Sequence, residues 1–446
     1  MYNFPAGLYT DVRIEDINST NIAYTLGNLE QSRVRKYKAA FIRIYDGNKW
    51  YYGSTTDYNN IQKEIDKLAK LANPNNNIDE DPVVKKFEVN KGKFLEFRDN
   101  DISKIDKKDK DKLLTSLFPL LKENKKIKNW QANYIDLKKI REFYSSKGSE
   151  LITDYQKTGV SFFFQMSNEQ GKRVDGKFDK GANTFDEIKG QEDKFKDVIK
   201  QTEDFMEKSQ PVKPGKYTVI FSPVVAGVFA HESFGHKSEA DFMIGDENMK
   251  KEWTIGKEVG VETLSIVDDG NEMGVGYTPY DDEGTKAKKT YLIKDGKLSG
   301  RLHSTLTASD LEEELTGNAR ATNFEFEPIV RMTTTYIMPG KKTKDELISE
   351  IKEGILVEDL KHGSGMSTFT IAPTIAYMIR DGKIAEPVSV SVLTGNVFKT
   401  LGEIDGLSNE LELFSFVRGG CGKMEQFPLS VGFGGPYVRI NNINVQ

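Results

Sequence analysis

KYTVIFSPVVAGVFAHESFGH, residues 216–236, joins a strand pattern to a helix pattern that ends in two histidines. KYTVIF (216–221) reads as a buried strand, rich in β-branched and aromatic residues. Ser222 then offers an N-cap hydroxyl, and Pro223 stands at the first helical position, where its missing N–H costs nothing. VVAGVFAHESFGH continues as a helix apolar on nearly every side, so it must lie inside the molecule. The expectation is a strand running directly into a buried helix that carries His231, Glu232 and His236 at its far end.

Those three residues are chemically pointed. The chain has only 4 histidines, and two of them fall in this string with an acid beside the first. Two imidazoles about a helical turn apart can hold one metal ion, and an adjacent carboxylate can act on a water that the metal activates. The spacing is His-Glu-x-x-x-His, however. On a regular helix five residues turn about 500°, which leaves the rings roughly 140° apart, against about 40° for four residues. A shared metal therefore demands either an inserted residue, as a π-bulge, or unwinding at Gly235.

A third ligand has to come from elsewhere. The chain contains 1 cysteine, Cys421, in RGGCGK (418–423). Taken alone, a single Cys reads as a small buried hydrophobe. Here flanking glycines free the backbone to present the thiol, and Lys423 can approach. Two imidazoles and one thiolate leave a fourth position open, the pattern of a catalytic zinc site, and soft sulfur with imidazole favours zinc over magnesium or calcium. His303 and His362 are isolated and read as structural or surface residues. Glu239 and Asp241 are either supports for the ligands or one face of a helix, and the sequence does not separate the two.

Outward from the string, the second half is rich in strands and Asp-Gly turns. TYLIKDGKLSG (290–300) and AYMIRDGKIAE (376–386) both read as hairpins turned at Asp-Gly, and together they suggest a large antiparallel sheet. In the first half, FIRIYDGNKWYYG (41–53) reads as a hairpin turned at Asp46-Gly47-Asn48. Residues 58–71 carry Ile61, Ile65, Leu68 and Leu71 at helical spacing. Residues 106–124 form an amphipathic pattern with Leu113, Leu114, Leu117 and Leu120 inward and Pro119 bending or breaking it. Residues 135–158 fit neither period and are left unassigned, whereas GVSFFFQMS (159–167) is a strand and 185–208 a helix leading to a boundary at 209–215.

The expected fold is therefore α+β. An N-terminal α/β domain (1–208) precedes a larger C-terminal domain (209–446) built on an extensive, mostly antiparallel sheet around the metal-binding helix. A net charge of −5 supplies no basic field for nucleic acid. No apolar run approaches the length of a membrane span, the N-terminus lacks a signal-peptide pattern, and the lone cysteine suits a reduced cytoplasm.

Read as an ordered set of blocks, the second half resembles the TldD/PmbA family, in its TldD type. The blocks are VFAHESFGHKSEAD (228–241), DDEGT (281–285), LTGNARA (315–321), RMTTTYIMPG (331–340), PVSVSVLTGNVFKTLGEIDGLSNEL (387–411), GGCGK (419–423) and VGFGGPYVRI (431–440). The resemblance implies a zinc metallopeptidase with His231, His236 and Cys421 as ligands and Glu232 as catalytic acid/base. It also implies a homodimer, or a heterodimer with a related member, acting on extended or unfolded peptides. The older family label, modulator of DNA gyrase, finds no support in this acidic chain.

On this reading peptide bonds are hydrolysed, with residues 331–337 and DDEGT lining the cleft and an extended peptide pairing there as an added strand. Two rivals stand beside it. One makes Cys421 a nucleophile with a histidine base; the other is a non-catalytic partner or scaffold subunit whose zinc is structural.

Overall fold

The computed structural model describes residues 2–446. β1 (Tyr9–Thr25), β2 (Asn28–Tyr45), β3 (Trp50–Thr55), β4 (Lys91–Phe94), β5 (Ile127–Ser145), β6 (Glu150–Ser167) and β7 (Arg173–Ala182) make one seven-stranded sheet. Its order is β3-β2-β1-β5-β6-β4, with β7 also paired to β6. Every pairing is antiparallel except β4 with β6. The N-terminal part is thus not an α/β unit of parallel strands and crossover helices. Its helices lie across a meander of long hairpins.

The segment left unassigned, 135–158, falls within the longest hairpin, β5–β6. Its strand period was hidden because charged residues occupy buried positions and neutralise one another. Lys138 pairs with Asp154 and Lys110 with Asp136, each at 2.6 Å and each buried on both sides. The hairpin at Asp46-Gly47-Asn48 forms as read, closed by the Asp46 carboxylate accepting from the N–H groups of Asn48 and Lys49.

Helix Ile61–Ala69 buries Ile61, Ile65 and Leu68, but Leu71 lies beyond its end and is exposed. The pattern over 106–124 breaks in two, Lys107–Thr115 and Phe118–Lys122, with Pro119 opening the second piece. Leu114, Leu117, Phe118 and Leu121 are buried, and Leu113 and Leu120 only half-buried. Helix Glu192–Lys208 seats Phe195 against Phe162 and Phe178, ring centroids 4.7 and 4.9 Å away.

Two further sheets build the C-terminal half. An eight-stranded one runs Glu353–Gly365, Gly215–Phe221, Val438–Val445, Leu393–Asn396, Thr368–Arg380, Lys383–Ser389, Gln210–Pro211, with Ile404–Leu407 also on Val438–Val445. Because Glu353–Gly365 also pairs with Thr368–Arg380, five of these strands close on themselves. A six-stranded sheet runs Lys297–Leu298, Lys289–Lys294, Ile266–Asp269, Thr334–Ile337, Gly432–Gly435, Glu412–Phe414. The two Asp-Gly hairpins form as read, with Asp295 (φ 49°) and Asp381 (φ 47°) both left-handed, but they belong to different sheets rather than to one. Among the described residues no helix is long and apolar enough to cross a membrane.

Helix Pro223–Ala230 is sandwiched between these two sheets, touching Glu353–Gly365 on one side and Gly432–Gly435 on the other. Its Val225, Ala226, Phe229 and Ala230 belong to the largest apolar core. Ser222 precedes it in an extended conformation, but its hydroxyl donates to the Glu358 carbonyl (2.9 Å) instead of capping the helix.

Candidate metal centre

At His231 the α-helix becomes a π-helical turn, His231–Gly235. The N–H of His236 donates to the carbonyl of His231, five residues back, and a short 3₁₀ turn, His236–Ser238, follows. That insertion brings the two imidazoles onto one side, with ring centroids 5.1 Å apart at 78°. Gly235 packs tightly here. A methyl group on its α-carbon would overlap the Met332 sulfur, which packs under the turn.

Cys421 arrives from the far end of the chain. It opens a short strand, Cys421–Lys423, paired with Gln426–Leu429. Gly419 (φ 86°) and Gly420 (φ 152°) make the bend before it, and Arg331 donates to its carbonyl oxygen at 2.8 Å. The Cys421 Sγ then stands 3.5 Å from His236 Nε2. Ligand atoms of His231, His236 and Cys421 all fall within 4.8 Å of one another.

This donor set fits a tetrahedral zinc ion. Zinc–sulfur and zinc–nitrogen bonds of about 2.3 and 2.05 Å subtend a sulfur–nitrogen edge of about 3.6 Å. His231 is buried, and among the described residues its Nδ1 has no hydrogen-bond partner. His236 Nδ1 lies 3.2 Å from Glu239 Oε2, the carboxylate–imidazole support typical of metal-bound histidine. Glu239 in turn meets Lys423 Nζ at 3.1 Å, and Lys423 also reaches Asp241 at 2.6 Å and the Val330 carbonyl at 2.9 Å. Buried Glu239 and half-buried Asp241 therefore support the cluster through His236 and Lys423.

Electrostatics favour the ligating form of the sulfur. Burial alone would raise the Cys421 thiol, but the adjoining imidazoles of His231 and His236 outweigh it and hold it at about 5. Burial alone would lower His236, but Cys421 and Glu239 push it up to about 10. A thiolate beside an imidazolium is thus the protonation state of the bare cluster. Despite its burial, Glu239 is held below the usual carboxylate range by His236 and Lys423.

Glu232 behaves differently. It lies on the same turn and lines the same cleft as both histidines, and among the described residues its carboxylate makes no hydrogen bond or ion pair. The cleft, about 750 Å³, lies between the two halves of the chain. β6 and β7 supply Phe163, Lys177 and Asp179; the strand Glu353–Gly365 supplies Leu360 and His362. Phe416, Arg418 and Phe427 complete the rim.

The cleft wall corrects two expectations. Strand Thr334–Ile337 is buried and paired on both edges, so it has no edge to offer a peptide. The DDEGT segment lines no part of this cleft, and its acids meet arginines of the N-terminal sheet. Arg43 meets Glu283 at 2.8 Å, Arg141 bonds Asp282, and Arg13 stands 3.7 Å from Asp282. His303 is buried between Thr307 and Glu313, away from the metal cluster. His362 does line the cleft, which the sequence did not reveal. Phe163 had a readable signal, the middle position of an alternating Phe-Phe-Phe, 43% exposed between two fully buried neighbours.

Residues 214–446 match the PmbA/TldA metallopeptidase C-terminal domain, and residues 10–72 match PmbA/TldA metallopeptidase domain 1. The chain belongs to the TldD/PmbA family. A metalloprotease of Methanocaldococcus jannaschii is 30% identical over 443 residues, 97% of this chain and 96% of that one. A metalloprotease of Synechocystis is 42% identical over 238 residues, 53% of this chain and 51% of its own length. A protein of Saccharolobus solfataricus named zinc metalloprotease TldD homolog is 29% identical over 330 residues, 72% of this chain and 71% of that one. The TldD/PmbA fold is also that of a Thermotoga maritima protein described as a modulator of a DNA gyrase, with TM-score 0.78, 17% identity, and 99% of this chain and 96% of that one covered.

Proposed function

We propose that this chain is a zinc-dependent peptidase that hydrolyses peptide bonds of extended or unfolded peptides. The observation that carries the reading is the convergence of His231, His236 and Cys421 within 4.8 Å, with the unengaged carboxylate of Glu232 on the same turn. Held by those three residues, zinc would supply Lewis acidity, polarising the scissile carbonyl and bringing the pKa of its water toward about 7. Glu232 accepts the proton of the attacking water and delivers it to the departing amine. Glu239 fixes the His236 ring, and Lys423 keeps Glu239 ionised. Phe163, Phe416 and Phe427 offer apolar contact to substrate side chains along the cleft. We place the functional boundary between residues 1–208 and 209–446, so that the cleft forms between two units, and we take the working form to be cytoplasmic and a pair of this chain with itself or with a related member.

A second reading is favoured by one observation, the 3.5 Å approach of His236 to the Cys421 sulfur, which also suits a thiolate nucleophile. One experiment separates the two. Zinc content and peptide cleavage are measured together on the wild type and on Glu232→Gln. The peptidase reading expects one zinc per chain in both, with cleavage lost by about a hundred- to ten-thousand-fold in the variant. Full cleavage by Glu232→Gln, or cleavage by wild type stripped of metal, overturns it.

A further inference from the structure

Beside the cleft lies a second cavity of about 130 Å³. Its wall carries four cations, Lys139, Arg141, Lys157 and Arg320, and two carboxylates, Asp154 and Asp282. Both carboxylates are already engaged. Asp282 bonds Arg141, and Asp154 pairs with Lys138 at 2.6 Å. Lys139 reaches Glu15 at 3.3 Å. Lys157 and Arg320 remain, and among the described residues neither makes an ion pair. Lys157 Nζ donates to the Ser430 hydroxyl at 2.8 Å, and Arg320 donates to the Ser430 carbonyl at 2.9 Å and to that of Met332. Burial and the charge of Lys139 hold Lys157 down at about 8. Lys157 has no carboxylate acting on it, and Arg320 feels Asp282 and Asp268 only from beyond ion-pair distance, so both cations are held at a cost that an incoming anion relieves.

The cavity is continuous with the cleft in two respects. Ser430 lines both. β6 runs under both, with Tyr155 and Lys157 facing the small cavity and Ser161 and Phe163, on the same face of the strand, facing the cleft. The four residues from Lys157 to Ser161 span about 13 Å, which an extended peptide covers in about four residues of its own.

We propose that this cavity is a carboxylate-binding subsite of the peptide cleft, with Lys157 and Arg320 receiving a carboxylate carried by the substrate a few residues from the scissile bond. The carboxylate is either the chain terminus or an Asp or Glu side chain. The assignment rests on the peptidase reading of the metal centre.

The test measures binding, so that it reports whether or not cleavage occurs. Fluorescent peptides are titrated into Glu232→Gln protein in two series: free C-terminus against C-terminal amide, and Glu against Gln at successive internal positions. Loss of the carboxylate in one series weakens binding by about tenfold or more, and that series names the source. Adding Lys157→Met removes the difference, and Lys157→Arg retains it. Lys157→Met melts no lower than its parent, because it removes an uncompensated charge. Equal binding throughout both series, or a preference that survives Lys157→Met, overturns the subsite. Absence of cleavage by the wild type would instead sink the peptidase reading, and the binding series would still decide the subsite.

Discussion

The sulfur of Cys421 lies 3.5 Å from Nε2 of His236, although 185 residues separate them in the chain. The contact joins a π-turn at the end of a buried helix to a glycine-framed strand, and neither element makes a site alone.

The contact fixes a titration. In metal-free protein the Cys421 thiol should ionise at about pH 5 and His236 should lose its proton at about pH 10. The stabilisation drawn by the thiolate is complete above the unfolded thiol value of about 8.5 and is lost as pH falls through the folded value. That drawn by the imidazolium is complete below about 6.5 and is lost as pH rises through its folded value. Ultraviolet thiolate absorbance of metal-free protein, against Cys421→Ser, should therefore rise at mildly acidic pH. Zinc binding at neutral pH should release at least one proton, from His236, measurable by calorimetry in buffers of different ionisation enthalpy. A thiol titrating at its ordinary value would break the cluster apart.

Glu239 orients His236 from its far nitrogen, at 3.2 Å. Glu239→Gln keeps a side chain of the same shape but removes the charge that meets both His236 and Lys423. Zinc affinity should fall by about 10- to 100-fold, read by competition with a chromophoric chelator, in a protein whose melting shows it still folded. Unchanged affinity would make Glu239 a partner of Lys423 alone.

How much of this could be read in the sequence depended on what each residue type is free to do. The convergence of His231, His236 and Cys421 was legible because few residue types bind metal, and the extra residue in the spacing demanded a distorted helix. The α+β class and both Asp-Gly hairpins were legible from turn chemistry. The β5–β6 hairpin was not, because Lys138 and Asp154 neutralise each other inside it and erase the apolar period. DDEGT was misplaced because three acids in a row resemble a functional cluster, and only the tertiary structure sets Arg13, Arg43 and Arg141 against them. The contribution of β6 and β7 to the cleft likewise depends on how the two halves dock.

The π-turn makes its own prediction. Gly235 packs on the Met332 sulfur with no room for a methyl group, and its backbone is otherwise ordinary (φ −53°). Gly235→Ala should therefore destabilise through overpacking, by about 1–3 kcal/mol. Zinc affinity should fall with it, since the turn that aligns the rings must shift. Met332→Ala opens the space, so the double variant should cost less than the sum of the two single changes. Urea denaturation of the four proteins measures the coupling, and strict additivity would remove Met332 as the cause.

Asp282 tests whether DDEGT joins the two halves. Burial would raise its carboxyl, but Arg13, Arg141 and Lys139 outweigh burial and hold it well below the usual range. Its stabilisation is complete above the unfolded value of about 3.9 and is lost only as pH falls through that depressed folded value. Asp282→Asn leaves buried Arg13 and half-buried Arg141 without this counter-charge, and it should cost about 3–5 kcal/mol in denaturant unfolding. It should also flatten the acid limb of the stability profile. Zinc content should stay at the wild-type level, because no residue of the cluster touches Asp282. A variant that unfolds at the wild-type denaturant concentration would deny Asp282 this role at the junction of the two halves.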